Sequence, residues 1–160
     1  MAKPATIEGI DADSPLEDAA KKTLTVRLGE LRQYEERLTT DAEPDDVHDM
    51  RVASRRMRAA LQLFDRKKQL AAGHKAVKRL GDALGGLREL QVQLDWLDKA
   101  ARAGREADHS GTVVLKQSRE KKLPWRIEAV HEAVAAWRDE ADGVAQAIDA
   151  LTQHGRLGGR

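Results

Sequence analysis

Apolar residues recur along this chain at helical spacing, in four blocks. The first block opens at Ser14-Pro15-Leu16-Glu17, where the serine can cap, the proline fits a first helical position and the glutamate completes a capping box. Leu24, Leu28, Leu31 and Leu38, with Tyr34 beside them, carry its stripe to about residue 38. Pro44 opens the second block, with Asp45, Asp46 and Asp49 at the positive end of the helix dipole. It is expected to run to about Lys68 and to bury Met50, Ala53, Met57, Ala60, Leu61 and Phe64. Gly73 falls between segments, and a third helix is expected from about His74 to Ala103, on Val77, Leu80, Leu84, Leu87, Leu90, Leu94 and Leu97. Residues 105–122 are ambiguous: Asp108-His109-Ser110-Gly111 is loop chemistry, and Val113-Val114-Leu115 suits either a helical turn or an extended piece. After Leu123-Pro124, the positions Val130, Val134, Trp137, Ala141, Val144, Ile148 and Leu151 form a coiled-coil-like seam. The pattern predicts an all-α protein, an up-down helical bundle of about four long amphipathic helices. Residues 1–13 read as a flexible leader, 14–154 as one domain and 155–160 as a frayed tail.

Composition agrees and removes alternatives. Aromatics are 3% of the 160 residues and charged residues 34%, which suits helices and not a β-sandwich or barrel. The chain has no cysteine, so disulfides, thiolate metal sites and thiol nucleophiles are excluded, and a reducing compartment is suited. No apolar run approaches the roughly 20 residues of a transmembrane helix, and the first residues lack a signal-peptide core. The expected address is cytoplasmic, with no membrane contact.

The net charge of +1 conceals a strong asymmetry. Residues 1–46 hold 6 basic and 12 acidic side chains, residues 47–88 hold 11 and 3, and residues 89–160 hold 11 and 12. The local charges are thus −6, +8 and −1. Such a local basic patch is what a polyanion responds to. On a wheel of 100° per residue, His48, Arg51, Arg55, Arg58, Gln62 and Arg66 share an arc of roughly 80°, opposite the apolar face, with Arg56 on a flank. No acidic residue separates Arg51 from Gln62, so pairs within the helix cannot neutralise the ladder. An anionic ligand could offset the repulsion, and so could the acidic first helix. Arginine's planar fork matches phosphate oxygens two at a time. On the third helix His74, Lys78, Gly81, Gly85 and Arg88 fall within a similar arc. The two glycines leave either room for an extended anion or space for close helix approach.

Val47-His48-Asp49-Met50-Arg51-Val52-Ala53-Ser54-Arg55-Arg56-Met57-Arg58 matches every specified position of V-H-x-x-R-V-x-x-R-R-x-R, the signature of the CHAD (conserved histidine α-helical domain) family, which the chain therefore resembles. Leu84-Gly85-Gly86-Leu87-Arg88-Glu89-Leu90-Gln91-Val92 resembles its second motif, L-G-x-x-R-D-x-D-V, with Glu89 and Gln91 in place of two aspartates. The resemblance covers about residues 15–155 and implies an all-helical fold that binds inorganic polyphosphate through a basic groove, with association to polyphosphate or storage granules. Carried over by position, His48, Arg51, Arg55, Arg56 and Arg58 would be polyphosphate ligands, joined by Arg88 and by Lys78. Family domains typically hold two four-helix halves and this chain has length for one, so a homodimer could restore the groove.

The expected function is therefore polyphosphate binding without catalysis, cofactor or metal. The alternative is a nucleic-acid-binding protein using the same face, disfavoured because no aromatics interleave with the cations. A phosphohydrolase would want carboxylates holding a metal ion among the cations, and the ladder lacks them. A scaffolding bundle on granules is compatible with the first reading.

Overall fold

The structure, a computed structural model, describes residues 3–65, 67–103 and 106–157, with side chains left aside for residues 106–109. Six helical segments follow in order: α1 Leu16–Arg32, α2 Arg37–Thr40, α3 Pro44–Phe64, α4 Ala71–Ala103, α5 Glu106–Glu120 and α6 Leu123–Asp149. The described residues contain no strand, only an isolated bridge between Pro15 and Arg156. None of these helices is long and apolar enough to cross a membrane.

α1, α3, α4 and α6 close a four-helix ring, α1 on α3, α3 on α4, α4 on α6 and α6 back on α1. The predicted stripes fill its interior. Leu24, Leu28 and Leu31 of α1, Met50, Met57 and Leu61 of α3, and Leu80, Leu84 and Leu87 of α4 are buried together. All seven seam positions from Val130 to Leu151 are buried too, so the seam serves the core of this chain. Its largest member, Trp137, donates its indole N–H to Glu35 Oε1 at 2.7 Å. That hydrogen bond satisfies the polar end of an otherwise apolar side chain.

Within the ambiguous stretch Glu106–Glu120 is helical. Backbone hydrogen bonds from Lys121, Lys122 and Arg126 continue across the junction of α5 and α6. The break falls where Pro124 has no N–H to give. The pairs Asp98–Lys116, Gly86–Arg126, Arg79–Glu140 and Gly73–Val144 then step in opposite directions along the two partners. α5 and α6 are thus one bent rod running antiparallel to α4. The Lys116 ammonium, 2.6 Å from Asp98, donates to it and holds that carboxyl below the usual carboxylate range.

Several local expectations are corrected. Ser14 does not cap α1. Its hydroxyl donates to Asp11 Oδ1 and accepts from the Asp11 N–H, both at 2.9 Å, while Pro15 is the N-cap residue. Glu17 instead pairs with Lys21 and accepts the Gln153 N–H. α1 also stops short of Leu38, which is buried from the separate turn α2.

The described part of the leader is tied down: Glu30 Oε1 accepts the Ala5 N–H at 2.6 Å, Lys22 donates to the Gly9 carbonyl, and Ile10 packs on the core. The tail is tied as well through residue 157. Leu16 N–H donates to Gly155 O, and Leu157 N–H to Ser14 O, giving an otherwise orphaned donor at the start of α1 a partner. Residues 158–160 lie outside the described residues.

The second helix ends at Phe64 rather than at Lys68, because Asp65 turns inward. Its buried carboxylate accepts the Gln69 N–H at 2.6 Å and the Leu70 N–H at 3.0 Å, and lies 3.3 Å from His74 Nε2. It thereby organises the entry to α4, which begins at Ala71 and places Gly73 inside the helix against Val144. Arg66, the last rung expected on the ladder, lies outside the described residues. Replacing Asp65 by alanine removes two backbone hydrogen bonds and the contact with His74. Asp65→Ala is expected to lower stability by about 2–3 kcal/mol, read from urea unfolding followed by circular dichroism.

Candidate anion-binding groove

α3 turns its apolar face inward, so the opposite side of the wheel must face out, and α4 stands alongside it. Between the two helices run two adjoining hollows. One, of about 500 Å³, is lined by Arg51, Ser54, Arg55 and Arg58 of α3 and by Val77, Gly81, Asp82, Gly85, Gly86 and Glu89 of α4. The other, of about 600 Å³, is lined by His48, Arg51, Gly85, Arg88, Glu89, Val92 and Gln93. They share Arg51, Gly85 and Glu89, and so form one groove with a cationic α3 wall.

Five of the seven residues singled out from the sequence meet here: His48, Arg51, Arg55, Arg58 and Arg88. His48, Arg51 and Arg88 are half-buried, whereas Arg55 and Arg58 are exposed. Among the described residues none of the five lies within 4.0 Å of a carboxylate oxygen. Arg88 instead donates to the carbonyl of Pro44, at 3.3 Å, which steadies it against the start of α3.

The other two do not line the groove. Arg56 turns from its flank towards α1, where its guanidinium stands 3.7 Å from Glu30. Glu30 is itself buried and also holds Arg27 at 2.8 Å. Arg56 is therefore a tie between α1 and α3. Lys78 points to solvent and pairs with Asp82 at 2.6 Å. Its position follows from the i,i+4 spacing, which lets the pair form on the helix surface.

The second-motif departures also find places. Glu89 faces the groove and accepts from Gln93 at 3.3 Å, whereas Gln91 leaves it and donates to the carbonyl of Ala42 at 3.2 Å. Sequence reasoning passed over Ser54. It is buried at the groove floor with its hydroxyl on the Arg51 carbonyl, and its place between Arg51 and Arg55 put it within reach of the same face.

The glycines of α4 separate into two kinds. A methyl at Gly73 would press on Val144 at 3.4 Å, and one at Gly86 would meet the Arg126 guanidinium at 2.5 Å. Methyls at Gly81 and Gly85 would stand at ordinary contact distance, 3.5 Å from Ser54 Oγ and 3.8 Å from Arg51 Nε. Close helix approach therefore does not require Gly81 or Gly85. What they do is leave the α4 wall bare opposite Ser54 and Arg51.

Fold and site together define a helical bundle with an arginine-walled groove. The chain belongs to the CHAD domain family, whose sequence profile matches residues 22–157. It is also similar to a solved structure described as the crystal structure of the CHAD domain from the plant Ricinus communis. That likeness has 22% sequence identity and a TM-score of 0.66, over 97% of this chain and 54% of that one. At that identity it speaks for the fold, and this chain spans about half the length of that structure. No curated protein matches the chain.

Because glycine is the costlier helix residue, Gly81→Ala and Gly85→Ala are each expected to raise stability by up to about 1 kcal/mol in urea unfolding. A loss of stability would show that these glycines serve helix packing.

Proposed function

We propose that this chain binds inorganic polyphosphate, without catalysis, in the groove between α3 and α4. The observation that carries the reading is a row of guanidinium groups, Arg51, Arg55 and Arg58 with Arg88 opposite, that lack carboxylate partners among the described residues of a CHAD domain. Like charges one turn apart repel, and a phosphate chain laid along them converts that repulsion into attraction. Arginine forks grip phosphate oxygens bidentately, and the bare wall at Gly81 and Gly85 admits a ligand with no bulky substituents. His48, in the first turn of α3, adds a ring N–H donor. Asp82 and Glu89 also line the opposite wall, Asp82 already paired with Lys78.

Arg56 and Lys78 belong to this reading only as nearby positive charge, since each already stands beside a carboxylate. Nucleic acid is the less suited ligand, because no aromatic side chain lines either hollow to stack a base. A polyphosphate ligand would take the chain to polyphosphate granules in the cytoplasm. A homodimer would set two grooves side by side, and sedimentation with and without polyphosphate reads its formation.

Titration of labelled polyphosphate tests the reading. Wild type is expected to bind with an affinity that falls roughly a hundredfold between about 50 and about 200 mM salt. Arg51→Ala with Arg55→Ala is expected to abolish most of that binding and flatten the salt dependence, with the helical circular dichroism unchanged. Excess polyphosphate should displace DNA easily, and DNA should not displace polyphosphate. The absence of wild-type binding would overturn the reading.

Affinity is further expected to rise as pH falls from 8 to 5.5, because a charged imidazole offers a phosphate two donors, and His48→Ala should remove that rise. A flat wild-type profile would remove His48 from the site.

A further inference from the structure

Arg126 belongs to neither sequence motif. It sits in the first turn of α6, half-buried, with its Cζ 4.7 Å from the centroid of the exposed Trp125 ring. Its guanidinium lies against α4 at Gly86, beside the two hollows rather than in their lining. The glycine's missing Cβ is what makes this placement possible, because a methyl there would stand 2.5 Å from one terminal nitrogen and 3.2 Å from Cζ. Gly86 is itself a lining residue of the groove.

The electrostatic setting is unfavourable for a structural arginine. Among the described residues no carboxylate lies within ion-pair distance of Arg126. The first turn of α6 has no acidic residue, and Lys121 and Lys122 precede it directly. A half-buried guanidinium without a counter-ion is costly, and it is relieved when an anion arrives.

The distances make one ligand sufficient. Arg51 Nε lies 3.8 Å from the Cβ position of Gly85, and the Arg126 nitrogen 2.5 Å from that of the adjacent Gly86. Through standard backbone geometry the two guanidinium groups are at most about 13 Å apart. A few linked phosphates span that gap across two residues that carry no side chain.

Resting on the polyphosphate reading above, we propose that Arg126 is a further phosphate ligand of the groove, brought in from α6 through the gap at Gly86, so that the bound chain is held by three helices. The ligand class is a condensed, unbranched phosphate chain, long enough to leave the α3 wall and cross α4. A single orthophosphate or pyrophosphate would engage one wall only.

The test is a double-mutant cycle on the full chain, titrated with long-chain polyphosphate and with pyrophosphate at several salt concentrations. Arg126→Ala is expected to weaken long-chain binding about tenfold and to lower the salt slope by about one, with pyrophosphate binding unchanged. Arg126→Lys should recover part of the loss. Gly86→Ala, which pushes the guanidinium aside, should weaken long-chain binding in wild type. In the Arg126→Ala background it should add nothing. Circular dichroism and a melting curve confirm that each variant is folded.

Wild-type affinity and slope in Arg126→Ala would overturn this inference while leaving the α3–α4 groove standing. So would an equal Gly86→Ala effect in both backgrounds, which would mean that the methyl acts by filling the groove. Failure of the wild type to bind long chains would instead defeat the polyphosphate reading itself.

Discussion

Positive charge held without a counter-ion is the constraint on which the rest of this structure turns. Arg51, Arg55 and Arg58 follow one another at helical spacing on the outer face of α3, and the carboxylates that could quench them are engaged elsewhere. The acidic first helix offers Glu30, but Glu30 is buried between Arg27 and Arg56. It neutralises the flank of α3 and leaves the outer face charged. Of the two acids on the opposite wall, Asp82 is held by Lys78 and Glu89 accepts from Gln93. Repulsion of this kind costs a few tenths of a kcal/mol per pair, and it persists only because the inner face of α3 is fixed by Met50, Met57, Leu61 and Phe64 in the core.

The bundle around α3 works as a holder for that face. α4 runs past it as the second wall and is kept in register by the bent rod of α5 and α6, pinned at Asp98–Lys116 and Arg79–Glu140. Asp65 fixes where α3 stops and α4 begins, so the relative position of the two walls depends on one buried carboxylate. Where α4 faces Ser54 and Arg51 it presents Gly81 and Gly85, and the groove is open there because those two residues carry no side chain. Helix propensity is given up there, about 1 kcal/mol for each glycine, at positions where packing leaves room for a methyl.

Much of this was legible in the residues alone. The apolar period located α3, α4 and α6 to within a few residues, and the same wheel that buried Met50 and Met57 turned His48, Arg51, Arg55 and Arg58 to one side. A signature of histidine and arginines pointed to the family that the profile over residues 22–157 shows. The wheel put Arg56 on a flank, and a flank position faces whichever helix packs there, here α1 with Glu30, which the wheel does not identify. Asp65 fell inside the expected span of the second helix, since burial of a lone acid depends on backbone donors four and five residues on. Ser14 was taken by a turn with Asp11, which competes locally with capping. α5 carries Ser110 and Gly111 and exposes Val113 and Val114, so its own period is weak, and it is held as a helix by packing on α4. Arg126 stood in no motif, because its relevance lies in Gly86, a residue 40 positions earlier on another helix.

The central claim is that one row of guanidinium groups on α3 takes the phosphate chain, and arginine Nε–Hε resonances report on it residue by residue. Titrating polyphosphate into labelled protein should shift and saturate the signals of Arg51, Arg55 and Arg58 together, with Arg27 and Arg79, held in ion pairs remote from the groove, unmoved. Shifts spread evenly over all arginines, or confined to those outside the groove, would contradict the account.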